Sequence, residues 1–319
     1  MNLKVHDELA AVVPLLPASA FDEAGIASAR AAVRQVSAAD GTGPTGVVLE
    51  EREVTGPPGA PDVVVRVFRP QEYSAASGAG VLDIHGGGFA AGAAVLDDEV
   101  NAHLVRALGV VVVAVGYRLA PEHPFPAPLE DCYAALTWFA ANAGELGVDP
   151  ARIGVLGDSA GGCLAAAVAL MARDQGGPAL AFQALVEPVL DDRMDTPSMR
   201  EPTFTLWWSR EHAKHSWRYY LGGDQLHREP SAYAAPARAA ALGGLPPTYL
   251  SVNELDVLRD EGLDYARRLL EAGVPTEVHV WPGTFHGFAA AAPDSSVAHT
   301  ARASLTEALR RGLGVAKGR

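Results

Sequence analysis

RIGVLGDSAGG, residues 152–162, is an apolar run of strand length that stops at the polar pair Asp158-Ser159. Small residues surround that pair: Gly157 before it, then Ala160, Gly161 and Gly162, after which a helical pattern runs to about residue 174. A turn this tight between a strand and a helix lifts a serine oxygen clear of a sheet, and the pattern Gly157-Asp158-Ser159-Ala160-Gly161 is G-x-S-x-G in that context. An ordinary glycine-rich turn produces the same five residues by chance, so the rest of the chain has to decide whether Ser159 is chemistry.

Outward from this stretch, residues 47 to 69 read as a β-hairpin in which "VVLEEREV" and "VVVRVFRP" flank the turn "TGPPGAPD", an antiparallel sheet edge. Apolar strands then alternate with helices: "GVLDIH", a helix at 97–108, "GVVVVAVGY", a helix near 130–146, "RIGVLG", a helix at 160–174 and "FQALVEPVL". After a break come "PTYLSVN", a helix at 259–273, "TEVHVW" and a closing helix at about 294–312. This alternation predicts an α/β fold, a mostly parallel sheet with helices on both faces. Residues 191–235 carry charges, prolines and aromatic anchors but no strand pattern, and read as a helical insertion.

The 319 residues suit one large core with an accessory piece. An apolar fraction of 49% with 20% charged residues excludes a wholly disordered chain. With 25 basic against 38 acidic residues, the net charge of -13 repels nucleic acid and anionic membranes. Cys132 and Cys163 sit in apolar helical stretches, as buried free thiols compatible with a cytoplasmic protein. The first 20 residues imitate a signal peptide, but Asp7 and Glu8 spoil its basic region and Pro14 and Pro17 its apolar one. No stretch approaches the roughly 20 apolar residues of a spanning helix, so membrane insertion is not expected.

A serine nucleophile needs a base and oxyanion donors. "DIHGGGFAAG" places His85-Gly86-Gly87-Gly88-Phe89 directly after a strand, where glycines free backbone N–H groups to face a substrate; Gly87 and Gly88 are the expected donors, with Ala160 N–H as the third. His85 precedes them and reads as a residue that holds the loop. Of the ten histidines, His286 in "WPGTFHGF" lies just past the strand 276–281, at the sheet edge where open α/β sheets place ligands. His279 falls inside that strand, and His6, His103, His212, His215, His227 and His299 in helices or surface segments. For the acid, Asp256 sits in the loop after "YLSVN", between Ser159 and His286 in the order Ser, Asp, His; Glu254 is the runner-up, and Asp260 and Glu261 open a helix whose dipole they complement. No spacing of cysteines or histidines suggests a metal, and this chemistry calls for no cofactor.

Taken together, HGGGF at 85–89, "YRLAPEHPFPA" at 117–127, "GDSAGG" at 157–162, "LDVLRDEG" at 255–262 and "HGF" at 286–288 resemble the hormone-sensitive-lipase-like family of α/β-hydrolase esterases, in its bacterial carboxylesterase branch. The combination in this order is far more specific than any single motif and spans almost the whole chain. One departure is Asp256-Val257-Leu258, where the family usually has Asp-Pro-Leu. The resemblance implies an α/β-hydrolase core at 46–190 and 236–319, with a helical cap from residues 1–45 and the insertion 191–235. It implies a small-molecule ester substrate, and a homodimer is compatible with it. Phe89, Phe204, Trp207, Trp208 and Trp217 become candidates to line the substrate pocket, although aromatics of this size equally anchor a cap to a core. Tyr117, Arg118, Glu122 and His123 read as a structural loop beneath the site.

The expected activity is therefore hydrolysis of short- to medium-chain acyl esters. The same triad also serves amidases, lactonases and acyl transferases, since all pass through an acyl-enzyme. A ligand-binding protein on the same scaffold is the remaining alternative, and the joint presence of Ser159, Asp256 and His286 argues against it.

Overall fold

The computed structural model describes residues 4–16, 20–39, 44–72, 78–201, 204, 206–223 and 229–317. Eight strands form one sheet: β1 (Val47–Val54), β2 (Val63–Pro70), β3 (Gly80–Ile84), β4 (Val111–Gly116), β5 (Ile153–Asp158), β6 (Phe182–Val186), β7 (Thr248–Asn253) and β8 (Thr276–Trp281). They lie in the order β1-β2-β4-β3-β5-β6-β7-β8. The β1–β2 hairpin and the β2–β4 pair are antiparallel, and every pair from β4 to β8 is parallel. The fold class read from the sequence is the one observed. Val111–Val115 of β4 are all buried, which is why that strand reads as a continuous apolar run rather than an alternating one.

Helices Asp98–Leu108, Ala127–Ala141, Ala160–Gln175, Arg259–Glu271 and Ser296–Gly312 connect or follow these strands. Two apolar clusters separate the layers, one containing Leu82, Val113, Val155 and the helix 160–175 side chains, the other Val81, Val112, Leu156 and Leu309. Alternate residues of a single strand fall into different clusters, so each central strand is packed from both faces. The helix expected near 130–146 instead spans Ala127–Ala141. It starts early because Pro128 sits in the first turn, where no donor is needed. It stops at Asn142 because the chain turns back, with Gly147 at φ +71° and Val148 N–H donating to Ala143 O at 2.8 Å.

The insertion contains two helices among its described residues, Pro197–Arg200 and Arg210–Tyr220. Ser209 caps the second by accepting from His212 N–H. Near the N-terminus, Glu23–Ala39 forms a long helix. Pro17, inside the signal-peptide-like stretch, and His227 lie outside the described residues.

Parallel pairing has one consequence for everything that follows. Ile84 registers with Gly157, Asp158 with Val186, Val186 with Ser251 and Asn253 with Trp281. The segments that leave β3, β5, β6, β7 and β8 therefore emerge side by side on one edge of the sheet. At Gly161 helix and strand nearly touch: a Cβ there would stand 1.9 Å from Ile84 O. Gly161→Ala should therefore force helix 160–175 off the sheet. A loss of at least about 2 kcal/mol in urea-induced unfolding is expected, at the upper end of overpacking costs; a midpoint unchanged from the native chain would contradict this packing.

Candidate active site

Ser159 sits at φ +54° and ψ −116°, a backbone region that costs a residue with a side chain about 1–3 kcal/mol and persists only when its surroundings enforce it. Three backbone bonds do so: Ser159 N–H donates to Val186 O at 2.9 Å, and Ser159 O accepts from Val189 N–H at 3.1 Å and Cys163 N–H at 3.2 Å. A Cβ at Gly157 would meet Gly161 O at 2.1 Å, and one at Gly162 would meet Pro188 Cβ at 2.8 Å. The glycines in the motif are thus spaces that the elbow fills with backbone.

Ser159 Oγ lies 2.9 Å from His286 Nε2, and His286 Nδ1 lies 2.8 Å from Asp256 Oδ2. Asp256 Oδ1 accepts from Leu258 N–H at 3.0 Å, which fixes the carboxyl plane without the proline usual at position 257. Glu254, the alternative acid, points elsewhere: its Oε2 accepts from Gly283 N–H at 2.7 Å. Burial disfavours a charged His286, but the carboxyls of Glu187 and Asp256, with Asp158 contributing, outweigh it and hold the imidazole above its ordinary value.

The loop after β3 lies against this serine. A methyl at Gly86 would come within 3.4 Å of Ser159 Cβ. Gly87 and Gly88 take φ of +119° and +59°, and Gly87 O accepts from Ala91 N–H at 2.8 Å. The loop is therefore a closed turn. The N–H groups of Gly87 and Gly88 have no acceptor among the described residues, and Ala160 N–H opens helix 160–175, where the helix leaves its first donors free. His85 is buried and stacks on Tyr117 at 4.2 Å, its Nδ1 2.7 Å from Gly86 O, while the Tyr117 hydroxyl donates to His85 O at 2.9 Å. Burial pushes His85 down to about 4, so it holds the loop as a neutral ring. Arg118 pairs with Asp131 at 2.7 Å. Glu122 takes both nitrogens of Arg30, whose Nε also donates to Ala90 O at 2.7 Å.

The aromatic candidates separate. Trp208 stands 5.7 Å from the His286 ring and 5.1 Å from Phe21, and a Cβ at Gly88 would strike both Phe21 and Trp208. Trp207 covers Gly287, 3.2 Å from where its Cβ would be. Phe89 and Trp217 are fully buried, Phe89 stacking on Tyr220 at 3.9 Å and lying 5.6 Å from Trp217. Phe204 is buried beneath the Arg259 guanidinium. Phe21 and Glu187 were not singled out from the sequence. Phe21 stands alone in a polar stretch, and the only signal of Glu187 was a charge at the end of an apolar strand.

Glu187, Asp256 and His286 also bring ligand-type atoms within 4.8 Å of one another. Hydrogen bonds engage each of them: His286 Nδ1 with Asp256, and Glu187 with Gly287 N–H and Asn253. The set therefore reads as a proton network rather than a cation cage. No helix among the described residues is long and apolar enough to cross a membrane.

A family model described as the alpha/beta hydrolase fold matches residues 81–290, from β3 to just past His286. The chain belongs to the α/β-hydrolase family, in its hormone-sensitive-lipase-like branch. Among relatives in this family, esterase LipI of Mycobacterium tuberculosis is 42% identical over 235 residues, 73% of this chain and 70% of its own length. Carboxylesterase NlhH of the same organism is 40% identical over 267 residues, covering 83% and 82%. The solved structure of a bacterial heroin esterase superposes with a TM-score of 0.92 at 46% identity, over 97% of this chain and 98% of the other.

The hydrogen bonds separate the two candidate acids in this α/β-hydrolase. Asp256→Asn should cut kcat by roughly 10⁴-fold by favouring the wrong imidazole tautomer, whereas Glu254→Gln should stay within about tenfold of the native chain, since it alters only a bond to Gly283. Steady-state kinetics on one ester decide it, and the reverse ranking would assign the acid to Glu254.

Proposed function

We propose that this carboxylic ester hydrolase is a serine carboxylesterase acting on short- to medium-chain acyl esters through an acyl-enzyme on Ser159. One observation carries the reading: Ser159, His286 and Asp256 form a hydrogen-bonded chain of 2.9 and 2.8 Å beside three unengaged backbone donors. His286 Nε2 takes the serine proton as Oγ attacks the ester carbonyl, and Asp256 fixes the tautomer and stabilises the imidazolium. The N–H groups of Gly87, Gly88 and Ala160 face the oxyanion that develops. His286 then gives its proton to the leaving alcohol, and later takes one from the water that releases the acid.

In this reading residues 1–45 and 191–235 act together as a cap. Its support is a set of bonds reaching the oxyanion loop from both segments: Arg30 Nε to Ala90 O at 2.7 Å, and Ser216 Oγ to Gly88 O at 3.0 Å. Phe21, Trp207 and Trp208 would wall the acyl side. Ser159 is only 5% exposed and His286 8%, which supports a narrow, enclosed pocket over an open groove. Each buried methylene adds about 0.8 kcal/mol until such a pocket is full. In kcat/KM for p-nitrophenyl esters from acetate to palmitate, efficiency should rise and then fall, with the best chain between about two and eight carbons. A rise continuing to palmitate would reject the enclosed pocket. An amide and a lactone in the same panel separate the ester reading from its relatives.

Ser159→Ala and His286→Ala should each lower kcat by several orders of magnitude with the fold retained, while either variant keeping a tenth of native activity would remove that residue from the mechanism. The base works only as neutral imidazole, so kcat/KM should climb with pH through the titration of His286. Because carboxylates raise that titration, the midpoint should lie above the ordinary value of about 6.5. A rate flat from pH 5 to 8, with chemistry limiting, would count against a histidine base.

A further inference from the structure

Two consecutive tryptophans of the insertion flank the catalytic histidine. Trp207 takes φ +59°, a left-handed conformation rare for a residue with a large side chain. Directly after it, Trp208 N–H donates to Leu206 O at 2.7 Å. The two rings go to different places at this bend. Trp207 covers Gly287, while Trp208 lies 5.7 Å from the His286 ring, its Cη2 2.9 Å from where a Cβ at Gly88 would be. Trp208 therefore lies against both the base and the oxyanion loop.

Packing does not account for one atom of this ring. Trp208 is only 9% exposed, and its buried Nε1–H has no hydrogen-bond partner among the described residues. A buried indole N–H ordinarily finds an acceptor, because an unpaired donor away from water is costly. The other rings beside it, Phe21 at 5.1 Å and His212 at 5.5 Å, do not supply one. Trp217 Nε1 is unpartnered too, but that ring packs on Phe89 and Tyr220 rather than on the triad.

We propose that Trp208 determines specificity: its indole N–H donates to an acceptor oxygen that the substrate carries beyond the scissile ester group, so the enzyme prefers oxygenated esters to their hydrocarbon counterparts. The oxygens of the ester itself already have partners in the mechanism above. Gly87, Gly88 and Ala160 face the carbonyl oxygen, and His286 serves the leaving one. What remains for Trp208 is an ether, carbonyl or hydroxyl oxygen in the acyl chain or the alkoxy group. A hydrocarbon chain in that place excludes water from the N–H and returns no partner, and a site built around a polar contact rejects the analogue that lacks it. This inference rests on the carboxylesterase reading and adds to it a class of ester.

The test walks one ether oxygen along a chain of constant length. Against p-nitrophenyl hexanoate, kcat/KM is measured for esters with oxygen in place of the third, fourth or fifth carbon of the acyl chain. Hexyl acetate and its ether analogues form the alcohol-side arm. The inductive effect of the oxygen on the ester fades steadily with distance, whereas a fixed donor favours one position. The native enzyme should therefore show a maximum at one position, and the arm that shows it says which side of the ester Trp208 reads. In Trp208→Phe the ratio of that ether ester to its hydrocarbon counterpart should fall at least about threefold. The lost ring volume affects both members of the pair and cancels in the ratio. Thermal unfolding is followed alongside, and if the variant does not fold, the native walk decides. A steady decline in both arms of the native enzyme, or a maximum that survives in Trp208→Phe with its ratio within about twofold, would overturn the proposal and leave the esterase reading intact. Failure to hydrolyse either hydrocarbon ester would overturn both.

Discussion

The backbone of Ser159 is the constraint on which the rest of the site depends. A left-handed φ of +54° is tolerated there because helix 160–175 approaches β3 and β5 so closely that no side chain fits at Gly157, Gly161 or Gly162. The closeness aims the first turn of the helix and the loop after β3 at one point. Relaxing the elbow would separate the nucleophile from both sets of donors at once, so the strain at this residue and the alignment of the site are one arrangement.

A second constraint follows from burial. Ser159, His286, Asp256 and Glu187 are all buried, where charge has to be balanced by hydrogen bonds within the protein rather than by solvent. Asp256 accepts from a backbone N–H as well as from the imidazole, while Glu187 accepts from Gly287 N–H and Asn253 Nδ2.

Much of this was legible in the sequence for physical reasons. Buried parallel strands leave unbroken apolar runs, and a sharp strand-to-helix turn leaves a cluster of glycines. The eight strands and their edge hairpin were therefore readable, as was the convergence of Ser159 and His286 on one sheet edge. The acid was narrower than the sequence allowed: Glu254 and Asp256 are two residues apart, and only the three-dimensional path of the β7 loop turns one toward the imidazole and the other toward Gly283. Glu187 was hidden because the partners of its carboxyl, Asn253 and Gly287, lie 66 and 100 positions later. Phe21 was hidden because nothing in its local sequence says that it meets Trp208. Sequence patterns report local periodicity, whereas these contacts are set by how distant segments pack.

The central claim is that Ser159 is the nucleophile, and its most direct test is covalent. The enzyme is titrated with a fluorophosphonate, digested with trypsin and mapped by mass spectrometry, with residual esterase activity followed in parallel. The account predicts one adduct per chain, on Ser159 within the peptide Ile153–Arg173, with activity lost in proportion to labelling. Activity that survives complete labelling of Ser159, or inactivation with the adduct on another residue, would contradict it.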